Sequence, residues 1–145
     1  MREEKKFEYL EHIADVYVVA YGSNLEEAFE NAALATVEVM TDTNKINLKR
    51  LEKVEIKAKD EQALLYSWLE ELLILFDVEG LLFSKFKVYE ISEIEKGFKL
   101  IAKIWGETFD PRRHPQKIGV KAVTYHLMEI VKKPEAVYVK FILDI

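Results

Sequence analysis

From Glu61 to Phe76 apolar side chains recur on a helical period at Leu64, Leu65, Trp68, Leu69, Leu72, Leu73 and Phe76. So wide a stripe has to be covered by something. A partner could cover it, but the preferred reading is that it faces the chain's own core. Asp60 just ahead is suited to cap this helix. A second amphipathic helix is predicted from Leu25 to about Met40, with Ala28, Phe29, Ala32, Ala33, Thr36 and Val37 on one face. Ser23-Asn24 can cap it, and Glu26 and Glu27 suit the positive end of its dipole. Thr41-Asp42-Thr43-Asn44 ends it.

The rest of the chain reads as β. Phe7 to Tyr21 suggests one strand, or a short strand and a longer one. Val16 to Tyr21 is nearly continuous in apolar residues, as a strand covered on both faces would be. Further strands are predicted near Val54–Ala58, Phe86–Ile91, Phe98–Trp105 and Val137–Leu143, with Gly97 at a hairpin turn. Val120 to Val131 could be helical, but Val120, Val123, Thr124, Tyr125, Ile130 and Val131 favour a strand. A Pro/Arg/His loop spans Asp110 to Gly119. The expected class is α+β: one domain over residues 1–145, with a mostly antiparallel sheet of about six or seven strands packed against two helices.

At 145 residues the chain can bury a substantial core, and 50% apolar content excludes disorder. No apolar run approaches a membrane span, and no secretory leader precedes the first strand. Cysteine is absent, which excludes disulfides, thiolate metal sites and a cysteine nucleophile. A cytoplasmic location is expected. The net charge of −5 argues against a protein that grips nucleic acid stably and unaided. Abundant Lys and Glu with sparse Gln, Asn and Cys lean towards a thermophile composition.

Aspartate is scarce, six copies against twenty glutamates, and two of them sit at informative places. Asp15 begins a buried-looking strand. Asp144 ends the hydrophobic run Val137–Leu143, with Ile145 behind it. If the first strand lies beside the last, Asp15, Asp144 and the α-carboxylate of Ile145 could converge as hard oxygen ligands. Such a set favours calcium, magnesium or manganese over zinc. The bland reading of Asp15 is a strand-start residue bonding a local amide. His12, three residues earlier, can join Asp15 only if the chain turns between them. His114 and His126 form no zinc signature with it, and His126 is read as structural. Arg112-Arg113-His114-Pro115 gives a positive loop suited to a phosphate or an acidic partner, with a solvated loop as the alternative. Nucleophile-elbow, P-loop, zincin and dinucleotide motifs are absent.

Taken together, His12-Ile13-Ala14-Asp15, Leu25-Glu26-Glu27-Ala28-Phe29, Met40-Thr41-Asp42, Trp105-Gly106-Glu107, His114-Pro115, Val120–His126 and Leu143-Asp144-Ile145 resemble the archease family in order and spacing. The resemblance covers essentially the whole chain. It implies a small cytoplasmic, non-catalytic activator of RtcB-type tRNA-splicing RNA ligases, which promotes guanylylation of the ligase and its multiple turnover. The family has also been suggested to act as a chaperone for proteins that process nucleic acid. The family's metal site, with calcium the first expectation, would fall on Asp15, Asp144 and Ile145, with His12 as a neighbour. Arg113 stands where other members carry lysine before His-Pro, so a planar fork replaces a compact ammonium. Arg113, His114 and Lys121 are the candidates for partner or phosphate contact. From the residues alone, a metal-dependent phosphoesterase and a general interaction module stay open as alternatives.

Overall fold

Local capping chemistry sets both helices. The computed structural model describes residues 5–11 and 14–145. Helix α1 (Leu25–Met40) starts at Asn24, whose side chain accepts from the Glu27 amide at 2.8 Å, while Glu27 accepts from the Ser23 amide at 2.7 Å. The first bond satisfies an orphaned amide of the first helical turn, and the second the amide just ahead of the cap. Helix α2 (Glu61–Glu79) is capped by Asp60, which accepts from the Ala63 amide at 2.7 Å. It runs three residues past the expected end and stops at Gly80, whose left-handed backbone (φ 66°) suits glycine. The α2 stripe is core: Leu64, Leu65, Trp68 and Leu69 are fully buried. The Trp68 indole N–H donates to the Phe29 carbonyl at 2.9 Å and ties the two helices together.

Among the described residues seven strands accompany them: β1 (Phe7–Leu10), β2 (Asp15–Gly22), β3 (Arg50–Ala58), β4 (Leu81–Ile94), β5 (Gly97–Thr108), β6 (Ala122–Lys132) and β7 (Val137–Asp144). They form two sheets rather than one, ordered β1-β2-β7-β6 and β3-β5-β4, and every pairing is antiparallel. Both helices pack against both sheets, so a single buried cluster joins all the layers. The expected α+β class holds. The split into two sheets was not expected, because strand periodicity reports which face is buried but not which strand lies alongside. No helix among the described residues is long and apolar enough to cross a membrane.

Candidate metal centre

The buried middles of β2 and β7 fix where their ends fall. Val18 pairs with Phe141, Val16 with Leu143, and Asp15 with Asp144. Val18, Phe141 and Leu143 are fully buried, and a slip of one residue would turn every one of them to the other face. The core therefore holds the two aspartates in register. Directly opposed residues on an antiparallel pair share a face, with Cβ atoms about 4.5–5.5 Å apart. Opposed on one face, the two carboxylates could share one cation.

The other flank of Asp144 is β6. Its first residue, Ala122, pairs with Asp144, and the Lys121 amide donates to the Asp144 carbonyl at 2.7 Å. Lys121 is thus brought to the strand tip with its side chain exposed. Ile145 is half-buried against the core and anchors the chain just beyond Asp144. Ala14 adopts a left-handed backbone (φ 63°) at the turn into β2. His12, the expected neighbour, lies outside the described residues. Among the described residues no group of three or more His, Asp or Glu side chains gathers as a metal site. Among the described residues, the β2–β7 pairing brings two acidic side chains together at this strand end, Asp15 and Asp144. Paired carboxylates suit a hard cation, and leave most of its 6–8 positions to main-chain oxygens, water or phosphate oxygens.

Beside Asp15 opens a cleft of about 890 Å³, lined in part by Tyr9, Glu38, Lys117 and Ile118. Sequence reasoning missed these residues. Tyr9 donates to the Ala35 carbonyl at 3.0 Å, and burial, with the nearby Glu38 charge, pushes its phenol well up. Burial would raise the Glu38 carboxyl too, but Lys117 and both the hydroxyl and the amide of Thr43 outweigh it and hold it low. The Lys117 and Ile118 amides donate to Met40 and Val39 at 3.0 and 3.2 Å, so the loop after β5 covers the carbonyl end of α1. One signal was available: the last turn of α1 has no basic residue, and a cation has to come from elsewhere to complement it.

The Arg/His loop is organised differently from expectation. His114 is fully buried. Its Nδ1 accepts from the Asp110 amide at 2.8 Å, so Nε2 carries the proton and donates to Glu107 at 2.9 Å. Glu107 is itself buried, and also takes the Arg113 guanidinium at 2.7 Å and the Asn47 amide at 2.7 Å. Burial alone would raise the Glu107 carboxyl; these partners hold it down at about 2. The two ring nitrogens of His114 are thus engaged by Asp110 in the loop and by Glu107 on β5. Neither Arg113 nor His114 lines the cleft beside Asp15. His126, read as structural, is instead exposed, on a wide bulge of β6 between Thr124 and Glu129.

Comparison with known proteins supplies the context. Residues 7–145 match the model of the Archease protein family. The chain is 49% identical to "Protein archease" of Sulfurisphaera tokodaii over 97% of its length and 99% of that protein. It is 50% identical to the Thermococcus kodakarensis protein of the same name, over 90% and 92%. A solution structure of a Methanobacterium thermoautotrophicum protein superposes with a TM-score of 0.84 at 45% identity, covering 97% of this chain and 99% of that one. A Thermotoga maritima crystal structure described as an archease and possible chaperone shares the fold, with a TM-score of 0.60 at 19% identity, over 100% and 98%.

Proposed function

The chain belongs to the archease family, and on that premise we propose that it is a non-catalytic activator of an RtcB-type tRNA-splicing RNA ligase. It promotes guanylylation and multiple turnover of the ligase through a divalent cation, calcium in the first instance, held by Asp15, Asp144 and a main-chain or terminal oxygen of Ile145. The observation that carries the reading is the register that sets these two carboxylates opposite one another at a strand end. Nucleotidyl transfer uses divalent ions to bridge phosphate oxygens. A tip that supplies only part of a coordination shell is suited to delivering, receiving or arranging such an ion. Net charge −5 also complements a basic RNA-binding cleft on a partner.

The test is ligase turnover with limiting ligase and excess RNA ends. The reading expects multiple rounds only when this protein is present, and no ligation or phosphate-ester hydrolysis by the protein alone. Single-round behaviour in both cases would contradict it. A second reading, a chaperone for proteins that process nucleic acid, has one observation behind it. Ile74 and Val78, one turn apart on α2, are 46% and 77% exposed. It expects suppressed aggregation of unrelated proteins, lost in Ile74→Ser/Val78→Ser.

A further inference from the structure

The charge of this acidic molecule is unevenly spread. Val54, Phe86, Val88, Leu100, Ala102 and Ile104 turn one face of the β3-β5-β4 sheet into the core. Strand alternation sends their neighbours to the opposite, solvent-facing side. There Lys53 pairs with Lys103, and Lys103 with Lys87, giving three lysines in line across all three strands. Like charges directly opposed cost stability, and this chain has glutamates in excess that could have relieved them. The next position along β5 is Trp105, with the Lys85 ammonium 4.7 Å from its ring centroid. The Lys103 ammonium lies 5.7 Å from the ring of Tyr89, which is 53% exposed. On the other side a row of Glu55, Ile101 and Glu90 bounds the patch, and Glu90 is engaged by Lys99 at 4.0 Å.

We propose that this face binds a single-stranded nucleic acid segment, with phosphates on Lys53, Lys103 and Lys87 and bases stacked on Trp105 and Tyr89. A row of ammonium groups alone would serve any polyanion. Two aromatic faces set beside those lysines add the platform that unpaired bases use and that the stacked interior of a duplex or a lipid headgroup does not. The whole-chain charge conceals the patch, because the acids lie mostly elsewhere. The site is on the sheet that does not carry Asp15 and Asp144, so it stands independently of the metal-bearing tip.

The experiment uses the full chain with labelled 12-nucleotide oligouridylate and oligothymidylate, followed by anisotropy and tryptophan fluorescence. Of the two tryptophans Trp68 is fully buried, so quenching by a stacked base reports Trp105. Binding is expected with a log–log salt slope of about −2, from about 0.7 per phosphate at three lysines. Lys53→Gln/Lys87→Gln/Lys103→Gln should weaken it at least tenfold without lowering the thermal midpoint. Trp105→Ala should weaken it while leaving the salt slope unchanged. Tighter binding of oligouridylate than of oligothymidylate would assign the site to RNA; equal binding would assign it to either strand. The proposal is overturned by no anisotropy change at about 100 µM protein, the weak limit of non-specific binding. It is equally overturned by binding without quenching, by equal or tighter binding of duplex or of phosphatidylserine vesicles, or by a fallen midpoint in the triple variant.

Discussion

Glu107 gathers three partners from two separate stretches of chain: Asn47 ahead of β3, and Arg113 and His114 in the loop after β5. A carboxyl held at about 2 when folded against an ordinary 4.5 is favoured in its ionised form by the fold. Its contribution is therefore complete above pH 4.5 and is lost as pH falls from there towards 2. Glu107→Gln should flatten stability over that window relative to wild type, read by denaturant midpoints between pH 6 and pH 2.5; identical slopes would contradict the role. His114→Ala leaves the Glu107 carboxylate and the Asp110 amide short of a partner, and should cost about 2 kcal/mol or more. Arg113→Ala should lower the thermal midpoint more than Arg112→Ala, because only Arg113 is bonded to the buried acid. Arg113 and His114 were legible in the sequence as unusual residues, but their bonds to Glu107 were not. A loop read in isolation shows clustered cations, and the acid they serve becomes visible only when the loop folds back.

At the scale of elements, what depends on neighbours within a few residues was legible. Asn24, Asp60 and the period of each helix predicted α1 and α2 with correct starts, because capping and amphipathicity are local. Strand lengths were underestimated: β4 runs from Leu81 to Ile94, well beyond the predicted Phe86–Ile91. Its register shifts near Phe83/Lys85 and Val88/Glu90 interrupt the alternation from which strands are read. One consequence concerns Gly106. A Cβ there would meet the Leu82 carbonyl oxygen at 1.8 Å, a clash with backbone that no side-chain rotation relieves. Gly106→Ala should cost about 3 kcal/mol, measured by chemical denaturation, and a loss within error would show that β4 and β5 can separate there cheaply. Asp60→Ala, which removes only a cap, should cost about 1 kcal/mol.

Over the whole molecule, two sheets and two helices close on one core, and the pairing of β2 with β7 sets the two aspartates side by side. That convergence was conditional in the sequence, since nothing in either segment names its partner. The cleft residues Tyr9, Glu38 and Lys117 carried no motif at all. The measurement that most directly tests the account is guanylylation of the ligase at limiting divalent metal with wild-type protein and with Asp144→Ala. The substitution removes no buried methylene and should change stability by no more than about 0.5 kcal/mol. It takes away one of the two opposed carboxylates, which a methyl group cannot replace as a ligand. The account predicts a folded variant that no longer stimulates guanylylation. Full stimulation by Asp144→Ala would contradict it, and would leave the pair as a polar strand end.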